Sequence, residues 1–141
     1  PRQNQIGWID STMNGGVTTM VSAGEVHLPG RPKDIVVLKA LAITAQRAFS
    51  NFRPGGVKVI AGAPIIEKGM TEHDFEELAS AGVTLLGEVG LGGVKDGPTA
   101  RRMVAWARGR GQPVMVNCMT RDAVRGYISS GLTPVGQLFV G

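Results

Sequence analysis

Val83-Thr84-Leu85-Leu86-Gly87-Glu88-Val89-Gly90-Leu91-Gly92-Gly93-Val94-Lys95 is an apolar run that closes on one carboxylate and opens into glycines. The run reads as a buried strand, and a charge at its end costs free energy unless it is paired or holds a cation. Ligands of a parallel α/β sheet sit at the carboxyl ends of its strands. Glu88 therefore stands where such a sheet would place a functional carboxylate.

The flanking segments fit that reading. Upstream, Thr71 and Asp74 form a variant capping box, with Asp in place of Glu or Gln, ahead of a helix whose inner stripe is Phe75, Leu78 and Ala79. Gly82 stops that helix. Downstream, Pro98 suits a first helical turn, and Met103, Trp106 and Ala107 give the helix an apolar face up to Gly111. Val114 to Val116 is then a strand ending on Asn117-Cys118.

Further out the alternation continues. Val57 to Ile60 reads as a strand, preceded by a helix capped by Asp34, with Ile35, Leu38, Ala42, Ala45 and Phe49 on one face. Pro54-Gly55-Gly56 stops that helix. Val17 to Val21 is β-branched and reads as a buried strand. Before it, Ile6 to Asn14 carries Ile9 and Met13 at helical spacing and runs into Gly15-Gly16. A last helix (Ala123, Val124, Tyr127, Ile128) ends at Gly131, and Val135 to Val140 closes the chain as a strand.

Short connections and non-alternating apolar strands predict an α/β domain with about five parallel strands, one domain over residues 1–141. Two architectures share this pattern: part of a TIM-barrel-like (β/α) array, or a five-stranded doubly wound sheet. A full barrel needs roughly 200 residues or more, so this chain supplies only part of one. The helix-first order suits a barrel segment. Pro1 lacks a preceding Met, which fits a processed end or a fragment of a longer protein.

Composition narrows the function classes. The 141 residues carry a formal charge of +4, and no apolar run approaches the ~20 residues of a membrane span. No signal-peptide pattern opens the chain. The single cysteine, Cys118, fits a reducing cytoplasm. The arginine excess at Arg101, Arg102, Arg108 and Arg110 reads as a solvated helix face, lacking the interleaved aromatics of a nucleic-acid surface.

Four features are candidates for chemistry. Glu88 reads as a metal ligand, a general base, or the ion-pair partner of Lys58 or Lys95. The Gly90 to Gly93 loop could cradle a phosphate, but it matches neither GxGxxG nor GxxxxGK[ST] and reads first as a turn. His27 lies in the polar loop after the first strand, at the ligand end of the sheet, and is the substrate-binding candidate; His73 reads as a solvated helix residue. Asn117 and Cys118 end the fourth strand, and Cys118 reads as a small buried thiol, since a nucleophile would need a histidine beside it. No HxH, HExxH or paired-cysteine spacing occurs.

Several runs together carry a resemblance: Asn14 to Gly24 (NGGVTTMVSAG), His27 to Asp34 (HLPGRPKD), Lys39 to Ile43, Arg53 to Val59 (RPGGVKV), Glu67 to Phe75 and Gly87 to Gly92 (GEVGLG). In order and without large gaps, from about Gln5 to Val116, the chain resembles enamidase-like members of the amidohydrolase superfamily. The resemblance implies a metal-dependent TIM-barrel hydrolase of non-peptide C–N bonds, acting on a cyclic amide or enamide. It implies a binuclear zinc or iron centre that polarises the carbonyl and supplies a hydroxide.

On that resemblance Glu88 takes the position of the carboxylate bridging the two metals. The other ligands do not carry over: the family's HxH has no counterpart, and its fifth-strand histidine would fall near Asn117, where none stands. Beyond Met119 the pattern is lost. The expectation is therefore a partial, inactive chain that binds no catalytic metal, with unpaired sheet edges that favour a homo-oligomer. The alternatives are a non-catalytic α/β domain for ligand or subunit binding, and a small doubly wound phosphate-binding module.

Overall fold

The computed structural model of the chain describes residues 3–22, 32–90, 92–117 and 138–139. In chain order these form α1 (Gln3–Thr12), β1 (Thr19–Val21), α2 (Ile35–Asn51), β2 (Lys58–Ile60), α3 (Glu72–Ser80), α4 (Gly97–Gly109), β3 (Val116–Asn117) and β4 (Leu138–Phe139), with single 3-10 turns at Met13–Gly15 and Pro54–Gly56.

Local chemistry sets the helix bounds. The Asp34 carboxylate accepts from the Val37 N–H at 2.9 Å, satisfying one of the donors that the first turn of α2 leaves open. At α3, Asp74 reaches back to accept from the Thr71 N–H at 2.7 Å and its hydroxyl at 2.8 Å. Asp96 caps α4 by accepting from the Thr99 N–H at 2.8 Å, and Pro98 sits in the first turn. The helix caps and stops foreseen from Asp34, Thr71, Asp74, Pro98, Gly16, Gly82 and Gly111 hold, and Gly131 lies outside the described residues.

Among the described residues both strand pairs are parallel. β1 pairs with β2 in the register Thr19↔Lys58 to Val21↔Ile60, and β3 pairs with β4, Val116↔Leu138 and Asn117↔Phe139. Between these pairs the chain is stitched by separate bonds: Gly87 N–H to Pro64 C=O (2.9 Å), Ile66 N–H to Glu88 C=O (3.2 Å), Leu86 N–H to Pro113 C=O (2.9 Å) and Met115 N–H to Leu86 C=O (3.1 Å). Among the described residues neighbours thus follow chain order, without the reversal that defines a doubly wound sheet. Of the expected five-stranded parallel array, the described residues show two two-stranded sheets and single bridges that link Glu67 to Gly92 and Gly93 and Leu86 to Val114.

α2 faces two cores. Ala42 joins Ile66, Phe75, Leu78, Leu86, Val94 and Met103 in the larger one, where Phe75 meets Trp106 at a ring distance of 5.8 Å. Ala45 and Phe49 join Ile9, Val57 and Ala61 in the smaller. Gly62, at φ 84°, lets the chain after β2 close against α2; a Cβ there would lie 2.4 Å from the Ala42 carbonyl.

β1 corrects one expectation. Val17 and Val21 are exposed rather than buried, and only Met20 turns partly inward. The reason is positional: among the described residues β1 pairs only with β2, so it forms an edge without a covering layer on its outer face. The helix expected around Ala123 to Ile128 lies outside the described residues, as does all of the last expected strand except Leu138–Phe139.

Candidate functional site

Val83, Leu85 and Leu86 are buried as expected while Thr84 is exposed, and the run delivers Glu88 to a half-buried position at the end of the segment. That segment lies between Pro64–Glu67 on one side and Pro113–Asn117 on the other, held by the four backbone bonds given above. Because the segments run parallel, Glu67, Glu88 and Asn117 come to the same end of the sheet.

Glu67 is the residue that sequence alone does not single out. It is only 6 % exposed, a carboxylate inside an otherwise apolar run. Its backbone bridges Gly92 and Gly93, and the Lys68 N–H donates to the Gly92 carbonyl at 2.7 Å. The signal was present: Ile65-Ile66-Glu67 repeats the apolar-then-carboxylate pattern of Leu85-Leu86-Gly87-Glu88.

The glycine loop is shaped by close packing. A Cβ on Gly92 would stand 2.1 Å from the Ile66 carbonyl oxygen and 2.9 Å from the Glu67 Cα. Only glycine lets the loop lie against the preceding segment that closely. The loop's donors are partly committed, since the Gly93 N–H donates to the Gly90 carbonyl at 3.3 Å. At the helix that follows, the Asp96 carboxylate takes the Thr99 N–H, and Pro98 has no N–H to offer. That N–H holds the Asp96 carboxyl below the usual carboxylate range. A carboxylate already seated at the helix start repels a phosphate, so the loop reads as a packed turn.

The other candidates separate. His73 is exposed on α3, its Nδ1 3.6 Å from Glu76 and its Nε2 3.5 Å from Glu77, as a solvated helix residue should be. His27 and Cys118 lie outside the described residues. Asn117 ends β3, and the structure describes its backbone pairing with Phe139. One expectation on the arginines needs correction: Trp106 does stand among them, and the Arg102 guanidinium lies 5.6 Å from the centre of its ring. This single cation–π contact is intramolecular and leaves the ring half-buried.

A binuclear centre needs terminal ligands on both ions besides a bridging carboxylate. Among the described residues no three His, Cys, Asp or Glu side chains come together in a way that could hold a metal. The described donor set does not fit a two-metal site, and no reaction step is derived through one. Nor is any described helix long and apolar enough to cross a membrane.

No protein-family model matches the chain. Enamidase from Eubacterium barkeri is 52% identical over 117 residues, covering 83% of this chain and 30% of the enamidase. A solved structure of enamidase at 1.9 Å resolution, introduced as a new member of the amidohydrolase superfamily, superposes with a TM-score of 0.77 at 47% identity. That match covers 85% of this chain and 34% of the solved one, so the chain spans about a third of the length of these relatives. Any span of 117 residues within 141 includes residues 25–117, and therefore both Glu67 and Glu88.

Proposed function

We propose, for a chain whose matched span makes it an enamidase-like part of the amidohydrolase superfamily, that it supplies one sector of the barrel of a metal-dependent hydrolase. Its substrate class is the small cyclic amide or enamide, cleaved at a non-peptide C–N bond. Five parallel segments in chain order form that sector, and Glu88 holds the place of the carboxylate between two metal ions, zinc or iron. When bound, such a pair polarises a carbonyl and supplies hydroxide. What this chain's own residues do is narrower: Ile66 and Leu86 fix the backbone on both sides of Glu88, and Gly92 lets the loop beyond it pack down.

The observation that carries this reading is the placement of Glu88. It ends a buried parallel segment, inside a span that is half identical to enamidase. By itself the 141-residue chain lacks the histidines of a two-metal site, so we propose that it neither retains both metals nor turns over substrate. His27 is kept as a substrate contact, a reducing cytoplasm as the location, and a homo-oligomer without nucleic-acid or membrane partners as the working state.

A second reading is favoured by one observation, the lack of any converging metal-ligand set among the described residues. In that reading the same strands serve a non-catalytic α/β domain that binds a ligand or a subunit. The test is turnover. The purified chain, supplied with zinc or iron(II), is assayed on a cyclic amide; no metal-dependent hydrolysis is expected. Hydrolysis that requires metal and disappears in Glu88→Gln would overturn the proposed incompleteness.

A further inference from the structure

The turn that joins α4 to the segment Pro113–Asn117 departs from the usual chemistry of such turns. The Gly111 N–H donates to the Arg108 carbonyl at 3.0 Å and the Gln112 N–H to the Ala107 carbonyl at 3.0 Å, with Gly111 at φ 69°. That double closure ordinarily places an apolar residue after the glycine, packed on the last turn of the helix. Here the position holds Gln112, only 2 % exposed. A buried amide costs free energy unless it is hydrogen-bonded, so a polar residue at this place needs a partner. Its Nε2 donates to the Val83 carbonyl at 2.9 Å, at the entry to the Glu88 segment. A carbonyl can only accept, which fixes the amide nitrogen as the atom facing it.

The neighbouring residue explains why a side chain is needed there. Leu86 bridges Val114 in parallel, through the Leu86 N–H to the Pro113 carbonyl at 2.9 Å and the Met115 N–H to the Leu86 carbonyl at 3.1 Å. One step back in a regular parallel ladder, the N–H of residue 113 would donate to the carbonyl of residue 84. Pro113 has no N–H to give. We propose that Gln112 is a positioning residue for Glu88. Its side-chain amide stands in for the ladder bond that Pro113 omits, and so fixes the register of the Glu88 segment against Pro113–Asn117. The segment is thereby tied at its entry, Val83, as well as at Leu86, and Glu88 lies at its far end. Register decides which face every side chain of a strand takes, so the tie holds Glu88 in place from the opposite end of the sheet. That this placement serves chemistry rests on the reading of Glu88 proposed above; the register itself rests on the bonds alone.

Amide hydrogen exchange on the 141-residue chain tests the assignment. Gln112→Met keeps the volume and removes the donor. It should lower protection of the Leu86 and Met115 amides at least about tenfold relative to those of Gly87 and Ile66, which join the segment to Pro64–Glu67. The Glu88 amide resonance should move with them. Adding Pro113→Ala to Gln112→Met returns a backbone donor and should restore both protection and resonance; lost packing alone would not be repaired in this way. If Gln112→Met fails to fold, Pro113→Ala alone is the readout, and its second donor should raise Leu86 and Met115 protection a few-fold against the same references. Equal loss of protection at all four amides in Gln112→Met, or no recovery in the double variant, would overturn the proposal. So would Pro113→Ala that leaves the ratio as in wild type. None of these readouts depends on metal or turnover, so this assignment and the reading of Glu88 fail separately.

Discussion

The two cores share α2 and differ in how they close. On the Ala42 side, α3 and α4 cover the apolar segments from Ile66 to Val94, and Phe75, Leu78, Leu86 and Ala100 retain no exposed surface. On the Ala45 side, among the described residues, α1 and the start of β2 enclose Ile9, Ala45, Phe49, Val57 and Ala61, with Met13, Met20 and Val59 partly buried against them, and Val17 and Val21 are exposed. The Glu88 segment belongs to the closed side. The contrast teaches that the Glu88 segment rests on the more fully covered of the two cores, while the other side leaves Val17 and Val21 exposed.

Large-to-small substitutions test that contrast most strongly. Phe75→Ala should cost about 3–5 kcal/mol in urea unfolding, because the cavity opens inside the closed core. Gly92→Ala forces a methyl to within 2.1 Å of the Ile66 carbonyl. It should cost about 3 kcal/mol, the upper part of the range for overpacking, and shift the amide resonances of Glu67 and Glu88. Ile9→Ala, in the open core, should cost about 2 kcal/mol. If Ile9→Ala proves as costly as Phe75→Ala, the two cores are equally closed and the contrast fails.

The smallest effect belongs to the clamp between α2 and α3. Burial pulls the Lys39 ammonium down, but its hydrogen bonds to Asp74 and Glu77 outweigh this and hold it above its ordinary value. Burial pushes Asp74 up, yet Lys39 and the Thr71 N–H hold it below the usual carboxylate range; Lys39 lowers Glu77 as well. A carboxylate with a depressed folded pKa stabilises the fold above its unfolded pKa and loses that contribution as pH falls through the folded one. Lysine works at the other end, contributing below its unfolded pKa and losing this as pH rises through the raised value. Lys39→Met should therefore cost about 1 kcal/mol or less at neutral pH, given the exposure of Glu77, and flatten the acid limb of a stability–pH curve. An acid limb identical to wild type would remove the clamp from the account.

What sequence reveals follows the range of the interactions. Caps and stops are local, so Asp34, Asp74, Pro98 and Gly82 mark helix ends that the structure keeps. The inner stripe of α2 is also local, a matter of helical period. Burial of a strand is not: Val17 and Val21 carry the residue types of a buried strand, yet they are exposed because, among the described residues, β1 pairs only with β2. Glu67 escaped for a similar reason, since nothing within its own segment tells that Gly92 will pack over it. How far the ladders extend is not local either: among the described residues only Thr19–Val21, Lys58–Ile60, Val116–Asn117 and Leu138–Phe139 pair as strands, because apolar runs mark where strands can form and not how far they pair.

The central proposal is that Glu88 holds the place of a bridging carboxylate; among the described residues no group of three His, Cys, Asp or Glu stands ready to complete a metal centre. Elemental analysis tests it most directly, on chain loaded with excess zinc or iron(II) and then freed of unbound metal by gel filtration. The account predicts no stoichiometric metal in wild type, and the same result for Glu88→Gln. Two metal ions retained per chain, and lost in Glu88→Gln, would contradict it.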